Sequence, residues 1–480
     1  MDSSFISSYM QTGARAHFVG IGGVSMSPLA EAFRAAGVSV TGSDATESVA
    51  TVYLRALGIP VAIGHAAAHI DGAEFIVRTA AAREDNPEIA AARVQGIPVF
   101  ERAEAWGQIM RGYQNAVCIA GTHGKTSTTS MTTHILLAAK QDPTVMIGGT
   151  LPKLQAGHRM GGGDTIVLES CEYYNSFHNF APTISVILNI EEDHLDYFKD
   201  LAEIQESFRK FAALTPPNGT IVANGDDPNT MQALTPLGRP LLTFGMTENV
   251  RLRAMNIQRQ RAVTSFDVTL DGAAYTQIVL NVPGDHNIQN ALAAIAVAVA
   301  LDLPPEVSRA GLADFSGAGR RFEYKGKLRG ATIYDDYAHH PSELAALFDS
   351  LKHLGFERII VAFQPHTYTR THALFDDFVR ELKRPDLVFL AEIFAAREQN
   401  TIGISAADVA VKIPNARHCA TLDELAKTLS GVLREGDLFL TVGAGDIYKV
   451  GEMLLCQQWG EEHGEGTDNA GSTATAHTAG

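Results

Sequence analysis

Short apolar runs recur along the chain, each closed by a glycine-rich or polar turn and most followed by an amphipathic or alanine-rich stretch. That rhythm predicts strands alternating with helices, the pattern of a parallel α/β sheet. His17-Phe18-Val19 predicts a strand running into Gly20-Ile21-Gly22-Gly23, then a helix through Leu29, Ala32 and Phe33. Residues 38–41 predict a second strand, ending at Gly42-Ser43-Asp44, and Phe75-Ile76-Val77 and Val99-Phe100 continue the series. Four such units imply a doubly wound, Rossmann-like sheet.

The polar stretch Arg111-Gly112-Tyr113-Gln114-Asn115 reads as a linker. Beyond it, Ala116-Val117-Cys118-Ile119-Ala120 predicts a buried strand that turns through Gly121-Thr122-His123-Gly124-Lys125-Thr126-Ser127 into a helix carrying His134-Ile135-Leu136-Leu137. Strands follow at 165–168, 184–188 and 220–223, a β-rich stretch at 250–282, and an alanine-rich helix at 288–300. A third α/β unit is expected from strands at 331–334, 358–362, 387–390 and 438–442. After Cys456 the chain turns Gly-, Thr-, Ser-, Ala- and Glu-rich, which predicts a disordered tail. No repeat is visible beyond this alternation.

Composition narrows the function classes. A chain of 480 residues with 45% hydrophobic content predicts two to four globular domains. Lys+Arg 38 against Asp+Glu 54 leaves a net charge of −16, which argues against general nucleic-acid or membrane-surface binding and makes any phosphate recognition local. No run is apolar enough to span a bilayer, and the start lacks a basic segment followed by an apolar core, so no secretory leader is expected. Cys118, Cys171, Cys419 and Cys456 are widely spaced and form no zinc or C-x-x-C pattern, as suits reduced thiols in a cytoplasm.

The candidate chemistry centres on Gly121–Ser127. Glycines let backbone N–H groups approach an anion, Lys125 adds a point charge, and the Thr126 hydroxyl suits Mg²⁺. The first glycine lies closer to Gly-Lys than the usual phosphate loop has it, yet strand, loop and helix fall in order, which points to ATP or another nucleoside triphosphate. Gly20, Gly22, Gly23 and Ser25, with Asp44 ending the next strand, approximate a dinucleotide fingerprint. A nicotinamide cofactor, a nucleotide sugar and a plain structural turn all remain open there. Glu169 and Glu172 follow one strand, either to complete a Mg²⁺ shell with Thr126 or as plain solvated loop acids. Glu191-Glu192-Asp193-His194-Leu195-Asp196 follows the next, either as a cation site using His194 or as a helix N-terminus. Asn287 and Asn290 share a helix face and suit a purine, although capping also explains such residues. Arg320-Arg321 suits a phosphate clamp. Asp335-Asp336-Tyr337-Ala338-His339-His340-Pro341 and Gln364-Pro365-His366-Thr367-Tyr368-Thr369-Arg370 follow strands whose ends should line a ligand crevice.

Together the segments GIGG…SM, GTHGKTS, LNIEEDHLD, GDHNIQN, GRRFE, DDYAHHP, QPHTYTRT and VGAGDI resemble the Mur ligase family from about residue 17 to 451. The branch most resembled joins L-alanine to UDP-N-acetylmuramate. The resemblance implies a UDP-N-acetylmuramate domain at 1–112, a central ATPase at 113–324, an amino-acid domain at 325–456 and a tail at 457–480. It implies ATP as co-substrate, Mg²⁺ or Mn²⁺ as cofactor, a cytoplasmic monomer or weak dimer, and no nucleic-acid or membrane partner. Gly20, Gly22, Gly23, Ser25 and Asp44 would then hold the UDP substrate. Gly121, Thr122, His123, Gly124, Lys125, Thr126 and Ser127 would hold ATP, with His286, Asn287 and Asn290 near the adenine and Arg320 near the phosphates. Thr126, Glu169 and His194 would bind the metal, and Asp335, Tyr337, His339 and Arg370 the amino acid. Lys125, His339, His366 and Arg370 would carry the catalysis.

By the same resemblance the substrate carboxylate becomes an acyl phosphate that the amine then displaces, with domain closure keeping water out. The chain departs from the family pattern at residues 169–174, where many members are aspartate-rich, and at Thr367, where many carry arginine. Lys210 is the only lysine near the segment that sister ligases carbamylate, and it is expected to be unmodified. Three rival readings are a recycling ligase that joins a murein tripeptide to the same nucleotide sugar, a nicotinamide-dependent oxidoreductase, and a non-catalytic nucleotide sensor.

Overall fold

The computed structural model describes residues 4–464 apart from Gln11, Asp196, His353 and Arg397, with side chains from 6 to 456. It divides between Gly319 and Arg320 into two compact units. The architecture is α/β, with a parallel N-terminal sheet, a large central sheet and a C-terminal sheet.

The first sheet contains β1 (Arg15–Val19), β2 (Ser39–Asp44), β3 (Val61–Ile63), β4 (Phe75–Arg78) and β5 (Val99–Glu101) in the order 3-2-1-4-5. All its pairs are parallel. β1 is central and buried from its second residue onward, which explains why it reads as an unbroken apolar run. The sequence pattern shows four of these strands and misses β3, a three-residue edge strand that is only partly buried.

The central sheet has ten strands: β6 (Asn115–Ala120), β7 (Thr144–Leu151), β8 (Ala156–Arg159), β9 (Thr165–Glu169), β10 (Ile184–Ile187), β11 (Thr220–Asn224), β12 (Leu242–Gly245), β13 (Leu252–Gln260), β14 (Val263–Leu270) and β15 (Ala273–Leu280). Their order is 15-14-13-12-11-10-6-9-7-8, so β6, which feeds the phosphate loop, lies inside the sheet. An antiparallel pair closes one edge and an antiparallel three-strand ribbon the other. β7, β8 and β12 escape the sequence pattern because glycines interrupt or end their apolar runs.

One continuous core joins the two sheets of this unit. Phe18, Phe33 and Phe75 belong to it, as do Trp106, Phe177, Phe208 and Phe211. Trp106 also donates from its indole nitrogen to the Ser25 hydroxyl at 3.0 Å. Burying an indole removes on the order of 200 Å² of surface, which contributes about 5 kcal/mol. His158 of β8 reaches Glu31 at 2.9 Å, a second tie between the layers.

The second unit holds β16 (Glu323–Leu328), β17 (Ala331–Asp336), β18 (Arg358–Phe363), β19 (Leu387–Leu390), β20 (Ala416–His418) and β21 (Asp437–Val442) in the order 16-17-21-18-19-20. Only the edge pair β16–β17 is antiparallel. β17, β21 and β18 are neighbours, so the three polar segments after them emerge side by side. The final helix, Tyr448–Gly464, runs eight residues past the point where the tail was expected to begin, while residues 465–480 of that tail lie outside the described residues. Among the described residues no helix is long and apolar enough to cross a membrane.

Candidate active site

β6 delivers the phosphate loop, and the helix Lys125–Ala138 starts directly on Gly124. Gly124 has a φ of 84°, and a Cβ there would lie 2.4 Å from Asn290 Oδ1. Gly121 is similarly confined, with Leu188 2.8 Å from the Cβ position. Both glycines are therefore dictated by space as well as by backbone angle. Lys125 Nζ donates to the Thr122 carbonyl at 3.1 Å, to the Gly121 carbonyl, and to Glu172 at 3.0 Å. Burial opposes its charge, but the Glu172 carboxylate outweighs it and raises the lysine above its ordinary value.

The two glutamates after β9 divide the work. Glu169 accepts from the Thr126 hydroxyl at 3.1 Å and from the Gly148 amide at 2.7 Å. Glu172, buried, lies between Lys125 and His194, whose Nε2 is 4.0 Å away. Glu172 is the site carboxylate that the residue-by-residue resemblance left out, although its position after the strand singled it out. Cys171 between them stays a thiol, because burial and Glu172 push it up to about 11. The acidic run at 191–196 is not a helix N-terminus: the next helix, Leu201–Ala213, begins later with Asp200 as its cap. His194 itself has a φ of 54°. Lys210 lies on that helix with an exposed side chain paired to Glu206 at 3.8 Å.

The loop is braced from the strand beside it. Asn189 clamps His123 at two points, accepting from its amide at 2.8 Å and donating to its carbonyl at 3.1 Å. The Glu191 amide donates to the Thr122 hydroxyl at 2.9 Å, and Glu191 also lies 3.4 Å from His123 Nε2. Asn224, Asp227 and Asn229 in turn bond the backbone of Leu188 and Ile190. Glu191 was singled out from sequence only as part of the acidic run and Asn189 only within a family segment, while Asn224, Asp227 and Asn229 were not singled out; their one signal was their place at or just after the ends of β10 and β11.

The residues expected near adenine separate. His286 is exposed on the first turn of the helix Asp285–Ala300. Asn287 donates to the Pro283 carbonyl at 2.7 Å, a capping bond. Asn290 is buried and accepts from the Thr128 hydroxyl at 3.2 Å, so it packs on the phosphate-loop helix. In the first sheet, Gly20 and Ile21 both donate to the Ser43 carbonyl at 2.9 Å, and Gly22 donates to Asp44 at 2.9 Å. Ser25 directly precedes the helix Met26–Ala35 without capping it through its side chain, and receives Trp106. Gly23 closes the turn with a 3.2 Å bond to the Gly20 carbonyl. Asp44 thus orders the turn itself.

In the second unit, Arg320 and Asp335, expected in different subsites, form one ion pair at 2.8 Å with Asp335 fully buried. Arg320 also donates to the Gly443 and Gly445 carbonyls and lies over the rings of Tyr337 and Tyr448. Asp336 receives the amides of Phe322 and Ala338, and burial raises its carboxyl to about 6 against the pull of Arg321 and those amides. Gln364, named from sequence only as the start of its segment and given no role, locks two motifs by donating to Asp446 and accepting from the Asp446 and Ile447 amides. His339 Nδ1 faces the Tyr337 carbonyl at 3.0 Å and Glu343 at 3.3 Å. Arg370 donates to His366 Nδ1 at 3.2 Å.

Patterns of three Mur ligase domains match this chain in succession: the family's catalytic domain at residues 15–114, its middle domain at 119–298 and its glutamate ligase domain at 320–445. The chain belongs to the Mur ligase family. A UDP-N-acetylmuramate–L-alanine ligase from Agathobacter rectalis is 45% identical over 92% of this chain and 97% of its own. One from Clostridium novyi is 43% identical with the same coverage. Among solved structures, a UDP-N-acetylmuramate–alanine ligase from Thermotoga maritima is similar with a TM-score of 0.78, at 30% identity over 93% of this chain and 99% of that one. A murein peptide ligase from Psychrobacter arcticus shares the fold, with a TM-score of 0.67 at 22% identity over 92% of this chain and 98% of that one. In this Mur ligase the phosphate loop lies inside the matched middle domain, and the family accounts for ATP as the nucleotide it takes.

Proposed function

We propose that this Mur ligase joins L-alanine to UDP-N-acetylmuramate, with ATP converted to ADP and phosphate. The observation that carries the reading is similarity to ligases of that activity along nearly the whole chain, phosphate loop included. Lys125, kept charged, and the amides of Gly121–Ser127 receive the triphosphate. The substrate carboxylate oxygen attacks the γ-phosphorus, the bond to the β-phosphate bridge breaks, and ADP leaves. The alanine nitrogen then attacks the acyl carbon, the carbon–oxygen bond to phosphate breaks, and an amide forms. Catalysis here is mainly positioning and charge neutralisation.

The donors fit a hard divalent cation: a hydroxyl, carboxylates and one imidazole. Thr126, Glu169 and His194 would hold Mg²⁺ or Mn²⁺, with Glu172 within reach of His194. Bound there, the cation supplies positive charge to the phosphate oxygens.

The amine must lose a proton before it attacks, and hydrogen bonding selects the base. Arginine only donates, so His366 accepts from Arg370 at Nδ1 and a neutral His366 carries its proton on Nε2. His339 Nδ1 faces two acceptors, which places its proton there and makes Nε2 the basic nitrogen, with Glu343 behind it. We assign His339 as the general base, with His366, Arg370, Tyr337 and Asp335 shaping the amino-acid pocket. Gly20, Gly22, Gly23, Ser25 and Asp44 form the turn that receives the uridine diphosphate, and His286 and Asn287 flank the adenine.

Phosphate release measured with ATP, UDP-N-acetylmuramate and a panel of acceptors tests the reading. Release should require both the nucleotide sugar and an amino acid, with L-alanine preferred. A preference for a murein tripeptide would assign the recycling reaction instead, and turnover indifferent to any acceptor would remove the ligase reading altogether.

A further inference from the structure

Between Glu172 and the core the chain makes a short helical turn, Tyr173–Asn179. Phe177 anchors it, stacked on Phe211 at 4.5 Å and edge-on to Phe208 at 5.3 Å. From the other side, Gly107 of the helix Arg102–Met110 lets the Asn179 carbonyl come so near that a Cβ would lie 1.9 Å from it. Wedged between these two supports, the turn cannot roll inward to bury its tyrosines. Tyr174 is 63% exposed, more than any other large apolar or aromatic ring among the described residues.

The backbone here is also strained. Tyr174 and Asn175 have φ of 54° and 53°, and His194, stacked on the neighbouring Tyr173, has 54°. A left-handed backbone is unfavourable for each of these non-glycine residues. The strain aligns a cluster of rings. Tyr173 stacks on His194 at 4.3 Å, Tyr174 lies 4.4 Å from Tyr173 and 4.6 Å from Tyr197, and Asn175 donates to the Tyr197 hydroxyl at 2.8 Å. An exposed, pre-ordered aromatic surface beside a phosphate site is the kind of wall that ligand pockets use.

We propose that Tyr173, Tyr174 and Tyr197 form a shelf that receives the pyranose ring of the nucleotide-sugar acceptor. This rests on the function proposed above. The shelf starts at His194, which lies 4.0 Å from Glu172, itself 3.0 Å from Lys125 Nζ. A carboxylate that attacks the phosphate held by Lys125 must touch it. In N-acetylmuramate that carboxylate sits on a lactyl ether carried by the sugar ring, so the ring comes to rest one short linker from the lysine. The C–H groups of a sugar face are weakly positive and suit the negative face of a phenol ring. Adenine lies at the far end of the triphosphate and does not compete for this place.

Calorimetric titration of the full-length protein with UDP-N-acetylmuramate and, separately, with UDP tests the shelf. Tyr174→Ala should weaken UDP-N-acetylmuramate by about five- to tenfold and raise its KM equally. Its affinity for UDP, its KM for ATP and its melting temperature should match the parent, because the side chain is exposed. Tyr174→Phe should bind like the parent. Unchanged affinity for UDP-N-acetylmuramate in Tyr174→Ala, or an equal loss for UDP, overturns the shelf. A parent protein that binds no UDP-N-acetylmuramate overturns the function proposed above, and the shelf with it.

Discussion

The Glu172 carboxylate lies 3.0 Å from the ammonium of Lys125, so the lysine of the phosphate loop is held in an ion pair with a buried carboxylate. Glu172 is buried and has no solvent to replace a lost partner.

Removing the lysine therefore has two consequences that separate cleanly. Lys125→Ala should lower kcat by at least about 100-fold and destabilise the protein by about 3 kcal/mol, since a buried charge is left unpaired. Adding Glu172→Gln should restore most of that stability but none of the activity. Urea unfolding and ADP release measure the two; a single variant with a tenth or more of parental turnover would falsify the loop assignment.

Gly124→Ala should damage the loop by geometry alone. The left-handed φ and the 2.4 Å approach to Asn290 Oδ1 both oppose a methyl group. A cost of about 1–3 kcal/mol is expected, with a clear rise in the KM for ATP. Combining it with Asn290→Ala removes the collision but not the strain, so the double variant should recover only in part.

The base assignment predicts a pH signature. His339→Gln should reduce kcat by about 100-fold and abolish the fall in kcat on the acid side. His366→Gln should mainly raise the KM for the amino acid and keep the acid-side fall. Rate profiles that respond the other way round would exchange the two roles.

Glu88 in the N-terminal sheet gives a stability prediction. It is fully buried, 2.6 Å from the Ser43 hydroxyl, 2.7 Å from His69 and 3.1 Å from His65. Burial alone would raise its carboxyl, but His17, Ser43 and His69 lower it to about 2. A depressed carboxyl stabilises the fold above its ordinary value near 4.5, by about 3 kcal/mol. That contribution should disappear as pH falls from 4.5 toward 2. Glu88→Gln should be less stable than the parent at pH 7 and lose less on acidification, as read from urea midpoints across that range.

Much of this was legible in the residues. Gly121–Ser127 announced itself because an anion cradle demands glycine, lysine and a hydroxyl in that order, after a strand. Glu169 and His194 were also visible as strand-end groups. The partners that hold them were not. Asn189 reads as an ordinary polar residue until β10 is placed beside β6, and Gln364 until β18 lies beside β21. Asn290, expected at a base, turned out to pack on the loop helix because a 162-residue separation hid its contact with Thr128.

By itself the sequence determined the α/β class, the strand, loop and helix around Gly121–Ser127 and the family, since each depends on local spacing or on motifs a few residues long. Only the tertiary structure decided which glutamate faces Lys125, that Arg320 pairs with Asp335, and that Tyr173, Tyr174 and Tyr197 converge. Those are relations between side chains distant in the chain, set by strand order and by the packing of Phe177 and Gly107, and local pattern carries no trace of either.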